Sequence, residues 1–348
     1  MTANTGTENT GTENTGTETP AAENTVTEKK MVDVFSDVER ETAFNANPAG
    51  FAVTELGAED ERIVTLAADM SNTVAEFIAK FPERYIEVGI AETNSVSLAA
   101  GLASAGLIPY IYSMSPFGML KTCEQWRTDV DYNHLPVRLV GRLSGLAMGY
   151  FGTSHYAVED IAIARTMNNT VVLSPADAAS CVSLMRSTAG LEGPVYIRIA
   201  EGTDKVYDEA PEYEYGRWPR LRAGTDVTLI GHGLGTGLAA QAAELLFEHD
   251  SIEADVFDAA YLRPYDEEAL LASAQKTGKV LTVEEHSVVG GLGTIVAETI
   301  ARAGLSVRLA QVALPAEDLE VGVPAELYEY YGLTPANVAA KARNLVGR

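Results

Sequence analysis

Several polar side chains stand directly after predicted buried strands, where they could contact a ligand. Asp69, Ser71 and Asn72 follow an apolar run at 62–67, and Glu92 lies at a strand-to-helix junction in the segment GIAET. In open α/β sheets, ligands bind at the carboxyl edge of the parallel strands. A carboxylate at this edge can exchange a proton with a bound molecule. The alternative for Glu92 is an ordinary acidic residue in a first helical turn, where the helix dipole favours negative charge.

His155 is the second candidate for chemistry, in the segment GTSH at 152–155. A neutral imidazole has one donor and one acceptor nitrogen, and it titrates near neutral pH. It can therefore donate a hydrogen bond to a substrate oxygen or accept one from a substrate hydroxyl. The alternative is a loop histidine whose ring is hydrogen-bonded to the backbone.

The charge and composition of the chain argue against several function classes. Its 348 residues include 25 Lys and Arg against 49 Asp and Glu, a formal net charge of −24. Nucleic acids and anionic membrane surfaces would repel such a chain. No apolar run is long enough for a transmembrane helix. Cys123 and Cys181 are too few for a disulfide framework or a zinc cluster, so we predict no metal site on this chain and a cytoplasmic location.

Alternating strands and helices would position these residues. The first half predicts strands at 62–67, 85–88, 108–112, 137–140, 170–173 and 195–199. After a helix-rich entry, helices are predicted at 73–80, 92–105, 119–132, 158–166 and 177–190. Such alternation indicates a parallel sheet that is covered on both faces.

A second alternation follows a polar, proline-bearing linker at 201–222. Its strands are predicted at 227–230, 254–258, 280–283 and 306–310, with helices at 234–249, 267–277 and 293–303. We therefore predict two open α/β domains, at 31–205 and 206–348. Residues 1–30 contain three copies of Asn-Thr-Gly-Thr-Glu and almost no apolar side chains, so we predict a disordered low-complexity tail.

An ordered series of motifs resembles the second half of the transketolase family. In the first domain these motifs are ADMS at 68–71, PERYIEVGIAETNSVSLAAGLASAG at 82–106, GTSHYAVEDIAIAR at 152–165, LSPAD at 173–177 and GPVYIR at 193–198. In the second domain they are DVTLIGHG at 226–233, LRPYD at 262–266 and TVEEHSVVGGLG at 282–293. The chain is thus similar to the small subunit of a split transketolase. The resemblance implies a pyrimidine-binding domain followed by a transketolase-type C-terminal domain.

The resemblance also implies thiamine diphosphate as the cofactor and assigns roles to residues. Glu92 matches the family carboxyl group that contacts the cofactor's aminopyrimidine ring nitrogen and assists loss of the thiazolium proton, so it should be largely buried. His155 matches the histidine that faces the substrate. Asp69 is assigned to the cofactor site. The residues assigned to the substrate pocket beside His155 are Ser71, Asn72 and Phe151.

Two positions after the third predicted strand correspond to aromatic residues that line the family's pyrimidine site. Met114 replaces the first of them, and Phe117 matches the second. A methionine sulfur packs well against a ring, so both residues are assigned to cofactor binding. The alternative for each is an ordinary core position.

Three departures from the family pattern concern the substrate. Phe151 stands where an Asp usually precedes the substrate-facing histidine by four residues, and a second family histidine corresponds to Leu143 or a neighbour. The family arginine that clasps a sugar phosphate corresponds to Glu201, which would repel a phosphate. Arg142 or Arg198 could compensate. These departures predict a pocket that is more aromatic and less cationic than that of a pentose-phosphate enzyme.

Family members bind the cofactor's diphosphate through Mg²⁺ on a separate domain with a Gly-Asp-Gly motif, which this sequence lacks. The resemblance therefore implies an obligate partner chain, the N-terminal diphosphate-binding subunit, that would hold most of the Mg²⁺ site. It also implies active sites between chains and an α2β2 assembly.

The implied activity is transfer of a two-carbon ketol unit from a ketose donor to an aldehyde acceptor. One alternative is the β subunit of a 2-oxo-acid decarboxylating or dehydrogenase-like enzyme, which a preference for pyruvate over ketoses would reveal. Another is a non-catalytic partner subunit, against which the retained Glu92 argues.

Overall fold

The computed structural model describes residue 44, residues 46–209 and residues 211–347. The predicted disordered tail at 1–30 lies outside the described residues. None of the helices in the described ranges is both long enough and apolar enough to cross a bilayer.

A mainly parallel sheet forms the core of the first half. Its strands from this half are β1 (Ile63–Ala67), β2 (Tyr85–Glu87), β3 (Ile108–Met114), β4 (Arg138–Arg142), β5 (Val171–Leu173) and β6 (Val195–Arg198). They run parallel in the spatial order β5-β6-β4-β3-β1-β2. Every residue of β1 is buried, as expected for a parallel sheet with both faces covered. The carboxyl ends of β6, β4, β3 and β1 are therefore neighbours along one edge.

The helices of the first half mostly follow the predicted pattern. They are α1 (Pro48–Glu59), α2 (Ala75–Lys80), α3 (Glu92–Ser104), α4 (Cys123–Gln125), α5 (Asp160–Ala164) and α6 (Ala178–Thr188). The predicted continuous helix at 119–132 is wrong in detail. Within the described residues, α4 is a single short turn between two π-helical segments, Pro116–Leu120 and Trp126–Asp131. Such π-helical turns occur frequently at functional sites.

The second half builds another sheet. Its strands are β7 (Arg220–Arg222), β8 (Val227–Gly231), β9 (Ala254–Asp258), β10 (Tyr261–Arg263), β11 (Lys279–Ser287) and β12 (Arg308–Leu314). Five of them form a sheet in the order β12-β11-β8-β9-β7 in the part of the chain that the structure describes. The helices are α7 (Leu234–Asp250), α8 (Glu267–Thr277), α9 (Leu292–Arg302), α10 (Pro324–Tyr330) and α11 (Pro335–Val346). The sequence pattern did not predict β7, α10 or α11.

Strand β10 belongs to the second half of the chain but extends the sheet of the first half. It pairs antiparallel with β5, with Tyr261 opposite Leu173. The sequence pattern predicted no strand here, because a run of three residues before Pro264 is too short to show a period. The two halves of the chain therefore share one sheet across the predicted boundary at 205–206.

A buried guanidinium gives a second connection between the halves. Nε of Arg198 donates to Oδ2 of Asp160 at 2.9 Å, and both side chains are fully buried. Nη2 of Arg198 donates to the backbone carbonyls of Ala157 and Glu285 at 3.1 and 2.8 Å. The hydroxyl of Tyr196 donates to the same Asp160 oxygen at 2.6 Å. One charge thus connects β6, the N-terminus of α5 and β11.

The loop that carries His155 is closed at its base. Gly145 and Ala157 exchange backbone hydrogen bonds of 3.0 and 3.2 Å as an antiparallel bridge. The amide of Leu146 donates to Oε1 of Glu285 at 2.8 Å. Gly145 has φ +62°, and a Cβ at this position would lie 2.0 Å from Cδ of Glu285. Only glycine fits this position without displacing the Glu285 carboxyl group.

We expect Gly145→Ala to lower the free energy of unfolding by about 2 kcal/mol or more, from left-handed strain and overpacking. Gly190→Ala is the matched control, because no atom lies within 4 Å of the place its Cβ would take. Its effect should stay within about 0.5 kcal/mol. Urea unfolding followed by circular dichroism measures both variants. Equal destabilisation by the two would contradict the close approach of Gly145 and Glu285.

Candidate active site

The predicted ligand residues gather at the carboxyl edge of the first sheet. Asp69, Ser71 and Asn72 follow β1 and are exposed, and Met114 ends β3 with part of its surface exposed. Asp69 has φ +53° and Leu143, directly after β4, has φ +54°. Left-handed backbone is uncommon for residues other than glycine, and it concentrates at functional sites. The unusual backbone at two strand ends marks this edge as the candidate site.

Glu92 is the first residue of α3, and its side chain is only 7% exposed. The expected burial is therefore confirmed. Oε2 accepts a hydrogen bond from Nζ of Lys121 at 2.6 Å. Oε1 has no hydrogen bond to any of the described residues. A buried carboxylate thus keeps one oxygen paired with a cation and one oxygen open to a ligand.

Lys121 is a site residue that the sequence analysis missed. It directly follows the π-helical segment Pro116–Leu120, and its side chain is 49% exposed. The lysine and Glu92 are 29 positions apart, so no local spacing in the sequence relates them. Its ammonium group compensates the charge of Glu92 at the boundary between the core and the solvent.

Three predicted residues form one aromatic cluster. The ring of His155 stacks on that of Phe151, with centroids 4.7 Å apart and an interplanar angle of 27°. Phe117 contacts the same imidazole edge-on at 5.1 Å. Nδ1 of His155 lies 2.9 Å from Oγ of Ser154, which fixes one ring nitrogen. Nε2 makes no hydrogen bond within the described ranges, so it is open to a substrate.

The segment 116–121 connects the two catalytic candidates. Phe117 contacts the ring of His155, and Lys121, four residues later, binds Glu92. No direct contact joins Glu92 and His155 among the described residues. One short segment therefore contacts both side chains.

The two arginines that could replace the family's phosphate-binding residue have different environments. Arg198 is fully buried in the network with Asp160, so it cannot reach a ligand. Arg142 ends β4 and makes an ion pair with Glu201, with Nη2 and Oε1 2.8 Å apart. Of these two, Arg142 alone faces the candidate site.

A buried carboxylate supports the His155 loop from the second half of the chain. Glu285 accepts hydrogen bonds from the Leu146 amide and, at 2.6 Å, from the hydroxyl of Tyr328. Burial raises the pKa of the Glu285 carboxyl, and the nearby Arg198 and these two donors oppose that rise. Glu285 therefore supports the site by binding the backbone of the loop that carries His155.

No group of three or more His, Cys, Asp or Glu side chains is placed to hold a metal ion among the described residues. Glu92 has an open carboxylate oxygen, Phe117 contacts His155, and Met114 ends β3 at the same edge of the sheet. The carboxylate can exchange a proton with a bound molecule, and the imidazole can donate to or accept from one.

Two family models cover most of the described chain. The transketolase pyrimidine binding domain matches residues 47–203, and the transketolase C-terminal domain matches residues 216–338. The chain belongs to the transketolase family. The fold class predicted from the motifs is confirmed, with the pyrimidine-binding domain preceding the C-terminal domain.

Individual relatives correspond to separate transketolase subunits. A putative transketolase C-terminal section from Methanocaldococcus jannaschii is 37% identical over 297 residues, which cover 84% of this chain and 93% of that protein. A 6-deoxy-6-sulfo-D-fructose transketolase subunit from Clostridium sp. is 36% identical, covering 84% and 92%. A solved split gene transketolase, described as an inactive β4 tetramer, superimposes with a TM-score of 0.80 at 37% identity, covering 86% and 97%. This transketolase chain therefore corresponds to the subunit of a split enzyme.

Removing Lys121 should destabilise the fold through Glu92. We expect Lys121→Met to lower the free energy of unfolding by about 1–3 kcal/mol, because a buried carboxylate loses its charged donor. In a Glu92→Gln background the same change should cost less, by at least about 0.5 kcal/mol of coupling. Urea unfolding of the four proteins in this double-mutant cycle measures the difference. An equal cost in both backgrounds would show that the ion pair does not stabilise the fold.

Proposed function

We propose that this chain supplies the pyrimidine-binding half of a thiamine-diphosphate-dependent active site that transfers a two-carbon ketol unit. The observation that carries the proposal is Glu92, a buried carboxylate with one open oxygen at the position that matches the family's catalytic carboxyl group. When bound, thiamine diphosphate would supply a nucleophilic carbon and an electron sink for C–C bond cleavage and formation.

The residues of this chain would hold the cofactor's aminopyrimidine. Oε1 of Glu92 would bind the ring nitrogen and move a proton there, while Lys121 keeps the other oxygen paired. Met114 and Phe117 would pack on the ring. We assign Asp69, at the end of β1, to the same cofactor site.

The substrate would lie on the side of His155. Its Nε2 would bind a hydroxyl or carbonyl oxygen of the donor, while Ser154 holds Nδ1. Phe151 would form an apolar wall against the same ring, and Ser71 and Asn72 would contribute polar groups from the end of β1. The exposed Phe151 ring lies where a partner chain could exclude water.

A partner chain would complete the site. This sequence lacks the Gly-Asp-Gly motif, and the described residues offer no metal cluster, so we assign the diphosphate and Mg²⁺ to an N-terminal transketolase subunit in an α2β2 assembly. The solved β4 tetramer of a relative is described as inactive, which supports a need for a second kind of chain. Both cysteines of this chain are free, which suits a cytoplasmic location.

Reconstitution tests the divided site. This chain, a diphosphate-binding subunit co-purified from the same organism, and their mixture are compared for binding of thiamine diphosphate with Mg²⁺ by calorimetry. Ketol transfer from a ketose to an aldehyde is measured in parallel, with pyruvate as the competing donor. We expect tight binding and turnover only in the mixture. Turnover by this chain alone, or a preference for pyruvate, would contradict the proposal.

Glu92→Gln should lower turnover of the reconstituted enzyme by about 10²–10⁴-fold, because glutamine cannot exchange the proton. Assembly with the partner chain should be unchanged when it is measured by size-exclusion chromatography. Glu83→Gln is the matched control, since the side chain of Glu83 is 71% exposed and lies outside the site. Unchanged turnover in Glu92→Gln would remove Glu92 from catalysis.

A further inference from the structure

A cavity of about 260 Å³ lies beside the candidate active site at the same edge of the sheet. Its polar lining includes Arg142 at the end of β4 and Glu201 shortly after β6. Asn47, at the start of α1, also lines it and donates to the carbonyl of Thr73. Thr73 directly follows Ser71 and Asn72, so the cavity adjoins the proposed substrate residues. Its size suits the end of a small molecule, since pockets for whole drug-sized ligands are larger.

Arg142, the one cation in the described lining of this cavity, is already paired. Nε and Nη2 of Arg142 donate to Oε1 of Glu201 at 3.2 and 2.8 Å, and Nη1 donates to Oδ1 of Asn47 at 3.2 Å. The Arg142 side chain is 15% exposed and that of Glu201 is 32% exposed. A ligand anion would therefore have to break this pair before it could bind the guanidinium.

The charges around the cavity disfavour an anion. Its described lining contains Arg142, Glu201 and Asp177, one positive charge against two negative charges. Asp177 is committed to the fold, since its carboxylate accepts from the amides of Ser180, Val206 and Tyr207. A phosphate dianion here would meet a net negative lining in a partly desolvated space.

The same groups favour a hydroxyl. Oε2 of Glu201 makes no hydrogen bond to any residue in the described ranges, while its Oε1 is held by Arg142. An oriented carboxylate oxygen is a strong acceptor for a hydroxyl donor. The ion pair thus fixes the carboxylate and leaves one oxygen to a neutral polar group.

We propose that this cavity receives the distal end of the ketose donor and that the Glu201–Arg142 pair selects donors ending in a hydroxyl over donors ending in a phosphate. This inference rests on the proposed ketol transfer. It makes Glu201 a specificity-determining residue, and the substrate class an unphosphorylated ketose.

The test compares D-xylulose with D-xylulose 5-phosphate as donors for the reconstituted complex, with glycolaldehyde as the acceptor. We expect wild type to have the higher kcat/KM with D-xylulose. Glu201→Gln removes the negative charge and releases Arg142, so it should shift the kcat/KM ratio toward the phosphorylated donor by about tenfold. Because the ratio is compared between variant and wild type, the intrinsic reactivity of each ketose cancels.

Two further variants distinguish an effect of the Glu201 carboxylate in the cavity from an effect of the overall charge of the protein. Glu201→Asp keeps the carboxylate and should keep the preference of wild type. Asp208→Asn makes the same charge change on a side chain that is 99% exposed and outside the cavity lining, and it should leave the ratio unchanged.

The outcomes distinguish this inference from the proposed function. A wild-type preference for D-xylulose 5-phosphate would overturn the inference, whether or not any variant folds, while ketol transfer itself would stand. An unchanged ratio in Glu201→Gln, or an equal shift in Asp208→Asn, would also overturn it. Transfer from neither donor would overturn the proposed function and this inference together.

Discussion

Arg198 holds three backbone elements around one guanidinium that is fully removed from water. Coulomb attraction between Arg198 and Asp160 does not by itself stabilise the fold, because removing both charges from water costs free energy. The additional hydrogen bonds from Arg198 to the carbonyls of Ala157 and Glu285 offset part of that cost and connect separate segments of the backbone. They fix the end of the His155 loop against β6 and β11. The position of the imidazole therefore depends on a charge in the core, on the second half of the chain and on Gly145, which leaves room for Glu285.

Near the solvent, two other carboxylates share a different arrangement. Glu92 and Glu201 each have one oxygen bound by a cation of the same chain and the other without a bond to the described residues. The cation compensates the charge and orients the carboxylate, and the open oxygen is an acceptor for a ligand. At Glu92 this arrangement suits proton exchange with a ring nitrogen. At Glu201 it suits recognition of a hydroxyl.

The sequence predicted the parallel sheet well because its strands contain short apolar runs between polar segments. The runs at 62–67 and 137–140 mark β1 and β4 to within two residues. The elements that it missed lack such a signal. The three residues of β10 are too few to show a period. The π-helical turns around α4 differ from an α-helix in the spacing of their backbone hydrogen bonds, such as that from the Lys121 amide to the Pro116 carbonyl, and the apolar pattern does not reveal this spacing. Family motifs assigned Phe117 to the cofactor and Phe151 and His155 to the substrate, whereas the contact of all three rings was not predicted.

By itself the sequence determined the order of most elements, the family, the polar residues at the strand ends and the glutamate at residue 201. These are local or ordered features, and they can be read without knowing which distant residues meet. Only the tertiary structure decided that Lys121 binds Glu92, that Arg142 binds Glu201 while Arg198 is enclosed in the core, and that β10 joins the first sheet. Each ion pair joins residues that are 29 to 59 positions apart, and the strand pair joins different halves of the chain. The physical reason is that the partner of a charge is set by which strand ends become neighbours, and strand order in a sheet does not follow the order of the sequence.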